Sequence, residues 1–281
     1  MITAAARRRW FSGLMTGVVV LLCTLAVLPL FLIFGDLVRR GLSSIDLSFF
    51  IHNPVAMGQT GGGVANAIVG TGIVVGVACL IGLPIGIGAG IYLGEYGHGR
   101  VAWVVRFVAD VLNGTPSIVV GIFAWTLIVK PMKGFSALAG SVALAMLMIP
   151  MVARTTEEMV RLVPQSLREA ALALGYPRWR TSLGIVVRTA LTGIVTGSLV
   201  AVARVAGETA PLLFTALGNL NFSTTLTQPM QTLSLQIFTY ATGPWDEWHR
   251  LAWAAALILM SLVLVLGMAA RWVTRRRYAA S

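Results

Sequence analysis

Charge is what this chain has least of. Asp, Glu, Lys and Arg together make up 11% of its 281 residues, against about 25% in an ordinary soluble domain. Lysine occurs only at Lys130 and Lys133. Neither follows the glycines of a G-x-x-x-x-G-K-[ST] loop, so the chain has no phosphate-cradling nucleotide loop of its own. Cysteine occurs only at Cys23 and Cys79, both inside apolar runs, and no disulfide framework or thiolate metal site follows from that spacing. The three histidines, His52, His98 and His249, are scattered near the ends of apolar runs and read as loop or interfacial residues. No nucleophile–base set and no metal cluster is present, which leaves an enzyme reading without support.

Hydrophobic residues fill the space, at 57% of the chain with a mean hydropathy of +0.84. The formal net charge is +11. Nucleic-acid-binding proteins carry such a surplus on polar faces with few long charge-free stretches. Here the basic residues sit between long apolar runs, which is the positive-inside pattern of a membrane protein and not a nucleic-acid footprint.

A membrane span needs about 20 apolar residues. Six runs qualify: 14–34, 68–93, 108–129, 136–153, roughly 190–217, and 251–270. The first follows Arg7, Arg8 and Arg9, runs uncharged from Leu14 to Phe34 and lacks a small-residue cleavage site, so it reads as a retained span and not a signal peptide. With the N-terminus in the cytoplasm, the Lys and Arg residues between spans fall on the inner side except Arg39, Arg40, Lys130, Lys133 and Arg250. Arg204 falls inside a span. Both termini are then cytoplasmic, as an even number of spans requires.

The second run carries Gly72, Gly76, Gly82, Gly86, Gly90 and Gly94, with Pro84 as a kink candidate. Small residues four apart let helix backbones approach closely in lipid; the partner helix belongs either to this chain or to another subunit. In the outer loop 218–250, Pro229 to Ala241 reads as a short amphipathic helix with Met230, Leu233 and Ile237 on one side, or as a solvated loop.

The loop 154–188 is the longest charged stretch. Pro164 suits a first helical turn, Gly175 suits the position after a helix end, and Pro177 forbids continuation. Leu167, Ala170, Ala171 and Leu174 share a face of the short helix between them. Glu169-Ala170-Ala171, three residues, Gly175, nine residues and Ile185 resemble the EAA loop of ABC-importer permeases. The departure is Ile185-Val186-Val187-Arg188, where that pattern usually closes in I-x-L-P. The small alanines suit seating in a cleft of a partner ATPase, Glu169 suits charge-assisted hydrogen bonds there, and Gly175 suits the turn.

Residues 193–217 carry Arg204 and Glu208, four apart and within ion-pair reach on one helical face. A span starting at Ile194 puts Arg204 near its middle; one starting at Ile185 puts it near the outer end. Unpaired, such an arginine costs about 2.5–3.5 kcal/mol on insertion scales. Gly207 and Pro211 are expected to distort the helix and free backbone groups that must line a cavity or pack in protein. A charge pair beside a helix break points to a transport pathway; a structural ion pair between helices is the alternative. Arg154, with Glu157 and Glu158 at i+3 and i+4, is either a second pathway charge or a flanking positive charge. Thr115 and Ser117 flank Pro116, and either line the pathway or satisfy backbone freed by the proline. Asp110 reads as a helix-start charge.

The segment Ala203-Arg204-Val205-Ala206-Gly207-Glu208-Thr209-Ala210-Pro211-Leu212-Leu213 resembles the A-R-x-x-G-E-T-A-P-L element of the PstA family of phosphate-importer permeases. Leu112 to Gly121 resembles that family's P-S-I-V-x-G element, and Leu233 to Phe238 its L-x-L-Q-I-Y/F element. The resemblance covers roughly 64–271. It implies an all-α polytopic protein of the type I ABC importer permease fold, with six transmembrane helices. It also implies a PstC-like permease partner, a PstB-like ATPase dimer that binds the ATP and Mg, and a PstS-like external phosphate-binding protein, in a bacterial plasma membrane. The chain then divides into an N-terminal arm with the first span and outer loop (1–63), a permease core (64–271) that contains the ATPase-coupling loop 154–188, and a basic tail (272–281). The alternatives are another oxyanion permease, for sulfate, molybdate or phosphonate, and a stand-alone secondary transporter using Arg204 and Glu208 as a relay; the latter leaves the EAA-like helix without a purpose.

Overall fold

The computed structural model describes residues 4–55 and 61–278, with the side chains of 4–7, 9 and 273–278 outside the described set. The Arg7, Arg9, Arg275, Arg276 and Arg277 side chains counted in the charge asymmetry, and residues 279–281 of the tail, therefore lie outside the described residues.

Apolar runs become helices because a backbone without water must satisfy its N–H and C=O groups internally. The main helices are α1 (Ala4–Leu42), α2 (Ala65–Glu95), α3 (Gly99–Gly114), α4 (Ser117–Met132), α5 (Ala137–Arg161), α6 (Gln165–Ala173), α7 (Arg178–Ala206), α8 (Leu233–Thr242) and α9 (Asp246–Tyr278). Five of them, α1, α2, α5, α7 and α9, contain a stretch long and apolar enough to cross a membrane, and α3 with α4 forms a bent pair that brings the number to six. The all-α, six-span architecture is the one expected.

The frame of two spans differs from expectation. The third run is not one straight span over 108–129; α3 and α4 meet at 108°. Pro116 lacks an N–H and drives Thr115 out of the helical region, to φ −77°, ψ 132°. Since α3 starts at Gly99, Asp110 lies toward the end of a helix and not at its start. The fifth span starts at Arg178, far ahead of 190, and stops at Ala206, well short of 217. Residues 182–186 form a π turn within it, and Gly207 ends it, its N–H bonding back to the Arg204 carbonyl.

The centre of the bundle is a parallel pair, α2 on α5. Gly82, Gly86, Gly90 and Gly94 of α2 face Met148, Val152, Thr156 and Val160 of α5 in constant register. A Cβ added at Gly86 would stand 2.8 Å from the Val152 Cβ, and one at Gly90 would stand 2.5 Å from the Thr156 Cβ. This packing is within the chain, whereas Gly72 and Gly76 face open space. On its other side α5 packs antiparallel to α7, with Gly193 against Met159 and Gly197 against Thr155. That register sets Arg204 level with the middle of α5.

The segment 218–250 is not a solvated loop. Its helix, α8, is shorter than the expected 229–241 at its start and is packed inside along its first turn and one face: Leu233, Ser234, Leu235, Gln236 and Tyr240 are buried, as is Met230 just before it. The polar residues supply what a folded-back backbone needs. Asn66 donates to the carbonyls of Asn219 and Leu220, the Leu233 N–H donates to the Thr71 hydroxyl, and the Ala137 and Leu138 N–H groups at the start of α5 donate to Gln228 and Leu226. Helix α1 stands apart: none of its apolar window is buried. It meets the bundle at its end, where Gly41 abuts Leu257 and the Arg40 guanidinium lies 5.2 Å over the Trp253 ring.

Candidate functional site

Two helix ends and one helix middle enclose a cavity of about 170 Å³. The α3–α4 break contributes Asn113, Thr115 and Ser117. The end of α7 contributes Arg204, and the turn after it contributes Glu208. Leu147 and Met151 of α5 form the apolar floor. Arg204 and Glu208 thus share a site, but not as the expected i, i+4 pair on one face. The helix stops between them, and among the described residues the Arg204 guanidinium and the Glu208 carboxylate make no ion pair or hydrogen bond. An Arg fork and a carboxylate opening on one small cavity can receive a group that both accepts and donates hydrogen bonds.

Three segments converge to hold this arrangement. Gly121 of α4 rests on Pro211, a Cβ there standing 2.7 Å from the proline Cα. The Ser234 hydroxyl of α8 donates to the Glu208 carbonyl at 3.0 Å. These are the three stretches, 112–121, 203–213 and 233–238, singled out in the sequence. The Thr115 hydroxyl donates to the Val111 carbonyl at 2.7 Å, which satisfies an acceptor freed by Pro116, while the residue also lines the cavity. The Ser117 hydroxyl and the Asn113 amide have no partner among the described residues.

Arg154 is not in this cavity. Its guanidinium lies 3.7 Å from Asp110 and 3.5 Å from Glu157. Glu157 itself is 1% exposed and also takes Arg106 and Arg161 at 2.7 Å each. Arg106 reaches on to the Leu93 and Gly97 carbonyls at the end of α2. Spacing along the chain pointed only to Arg154 with Glu157; Arg161 counted as an inner positive charge, and Arg106 is 51 residues away in sequence, where no local pattern pointed to it.

At the arginine-rich end, α6 is the helix expected between Pro164 and Gly175. The Tyr176 N–H bonds the Ala171 carbonyl and the Gly175 N–H bonds that of Leu172, the paired bonds of a Schellman ending. They require the positive φ of +82° that Gly175 adopts. On the face predicted to be shared, only Ala171 is buried; Leu167, Ala170 and Leu174 are exposed, as is Glu169. The link from α6 to the spans was missed. Arg168 grips Glu95 at the end of α2, at 2.9 and 2.7 Å, and donates to the Val160 and Val163 carbonyls. In the sequence Arg168 counted only as one more inner positive charge.

Comparison with known proteins shows the family and the fold. Residues 82–278 match the family described as binding-protein-dependent transport system inner membrane component. The chain is 48% identical over 243 residues to the phosphate transport system permease protein PstA of Yersinia pestis, covering 85% of this chain and 82% of that one. It is 42% identical to that of Haemophilus influenzae over 94% of both, and 37% identical to the probable PstA of Methanocaldococcus jannaschii over 90% of both. The fold matches a permease chain in the crystal structure of a bacterial alginate ABC transporter bound to its periplasmic protein, with a TM-score of 0.65 over 97% of this chain and 96% of that one at 14% identity. It also matches the inward-facing MetNI methionine ABC transporter, with a TM-score of 0.59 over 76% and 93% at 18% identity. A polytopic helical bundle, an exposed EAA-like helix and relatives of this similarity leave one assignment: the chain belongs to the binding-protein-dependent transport system inner membrane components, among the PstA permeases.

Proposed function

We propose that this chain forms half of the membrane pore of an ATP-driven importer that carries inorganic phosphate into the cytoplasm. The observation that carries the reading is the Arg204 fork beside the Glu208 carboxylate in one cavity at mid-bundle height, neither side chain having a partner among the described residues. Arg204 attracts the oxyanion through its planar donors. Hydrogen phosphate keeps a proton and donates P–OH to Glu208; sulfate at neutral pH has no proton to give, so the carboxylate repels it. Thr115, Ser117 and their neighbour Asn113 supply further hydrogen bonds. Arg154, held by Asp110 and Glu157 outside the cavity, serves the inner end of the route.

Helix α4, whose Ser117 lines the cavity, exposes Ile118, Val119, Ile122 and Phe123. That exposed apolar face supports a PstC-like subunit completing the pore. The exposed face of α6, with Glu169, Ala170 and the Gly175 turn, supports docking of a PstB-like ATPase dimer that binds the ATP and Mg. Delivery falls to a PstS-like binding protein on the opposite side. The positive-inside count supports cytoplasmic termini in a bacterial inner membrane, with 1–63 as an appended arm and 64–271 as the permease core.

The test is Arg204→Gln in the assembled importer. Uptake of labelled phosphate is abolished while the subunits still co-purify. Full uptake by the variant would remove the assignment, and equal competition by sulfate or molybdate in the native importer would move it to another oxyanion.

A further inference from the structure

We infer that Glu95, at the inner end of α2, is the positioning residue through which movement of α6 reaches the substrate helices. The inference rests on the reading of α6 as the ATPase-docking helix. Helix α6 is held loosely by packing, since Ala171 is its one buried residue. Among the described residues, Arg168 is the only α6 side chain that hydrogen-bonds to the spans. Its side chain is 15% exposed, and the Glu95 side chain it grips is 9% exposed. Two charges so far from water hold together tightly, because either one left alone would be buried without compensation.

Glu95 uses its two oxygens differently. Oε1 takes both Arg168 nitrogens, and Oε2 takes the Ser182 hydroxyl at 2.8 Å. Ser182 opens the π turn at the base of α7, and the Tyr96 hydroxyl lies 3.3 Å from it. One carboxylate therefore joins three elements: the docking helix, α2 and α7. Helix α2 is locked to α5 by its glycine face, and α7 carries Arg204 in its last turn. A displacement of α6 is thereby delivered to the α2–α5 pair and to the helix that carries the cavity arginine. The π turn holds an irregular backbone ladder where α7 is pulled, a feature that recurs at functional sites in helices.

The experiment uses the complete importer reconstituted in vesicles with its ATPase and binding protein, and measures ATP hydrolysed and labelled phosphate moved in the same sample. Glu95→Gln keeps the size and one acceptor but loses the charge; Ser182→Ala removes only the branch to α7; Glu95→Asp keeps the carboxylate. The expected result for Glu95→Gln is near-native ATP hydrolysis and ATPase co-purification, with phosphate moved per ATP reduced about tenfold, within the range of coupling free energies between sites. Ser182→Ala lowers the same ratio less, and Glu95→Asp recovers part of it. An unchanged ratio in Glu95→Gln and Ser182→Ala, or uptake and hydrolysis falling in proportion, overturns the inference. If Glu95→Gln does not accumulate, the ratio in Ser182→Ala and Glu95→Asp decides in the same way. Loss of ATPase co-purification from Glu95→Gln alone would make Glu95 a docking residue and also overturn it. Failure of the native chain to retain the ATPase would instead overturn the reading of α6.

Discussion

Gly121 and Pro211 meet with no room for a side chain between them: a Cβ at Gly121 would lie 2.7 Å from the proline Cα. The contact braces α4 against the turn that carries Glu208, so it sets the width of the cavity. Backbone cannot retreat as a flexible side chain can, and overpacking of this kind costs about 1–3 kcal/mol. Gly121→Ala is expected to lower the thermal midpoint of the purified subunit and to reduce phosphate uptake sharply. Uptake at native level would mean that the brace is not needed for transport.

Glu208→Gln is expected to change selectivity more than assembly. The amide can accept from P–OH, but it no longer repels a fully deprotonated oxyanion. Sulfate should then compete with phosphate better by about 10- to 100-fold, the scale of one buried polar contact. Competition curves with labelled phosphate measure this directly, and an unaltered sulfate curve removes Glu208 from the discrimination.

Gly90→Ala bears on the α2–α5 seam and not on the cavity. The added methyl would sit 2.5 Å from the Thr156 Cβ and 2.6 Å from the Ala153 carbonyl. The expected loss is about 1–3 kcal/mol, with Gly72→Ala, which faces open space, as a nearly neutral control. Thermal melts in detergent compare the two.

Glu157→Gln removes the one charge that three arginines share. Arg106, half-buried between α3, α5 and the end of α2, is left without its counter-ion, and breaking a fully buried pair costs about 3–5 kcal/mol, an upper bound here. The subunit is expected to accumulate poorly in membranes. Asp110→Asn, whose contact with Arg154 is longer and more exposed, is expected to accumulate normally. Immunoblotting of membrane fractions distinguishes them.

Ala170→Trp places bulk on the open face of α6 without touching the spans. Melting of the isolated subunit is expected to stay unchanged while co-purification with the ATPase is lost. Retained co-purification would move the docking surface off this face.

Much of the fold was legible because its signals are local. Apolar runs announce spans, and Pro164, Gly175 and Pro177 delimit α6. The errors arose where the cause is tertiary. The basic stretch from Arg178 to Arg188 reads as a loop, yet its residues are the first turns of α7, so Arg204 lies at a helix end. Polar residues in 218–250 left a solvated loop open beside a short helix; Gln231 and Gln236 are polar because they bond to each other inside the bundle. Of the cavity, Arg204, Glu208, Thr115 and Ser117 were found from charge and from proline. Glu95 and Arg106 were not, since each acquires its role from partners dozens of residues away.

The exposed guanidinium of Arg204 also bears on abundance. A copy inserted without a neighbour over that face holds a bare cation toward lipid, about 2.5–3.5 kcal/mol worse than a neutral residue at that depth. Such a copy is a poor lodger and an easy target for membrane proteases. The amount of this subunit that survives in a cell should therefore follow the supply of whichever chain covers Arg204, so that synthesis in excess leaves no surplus of half-pores.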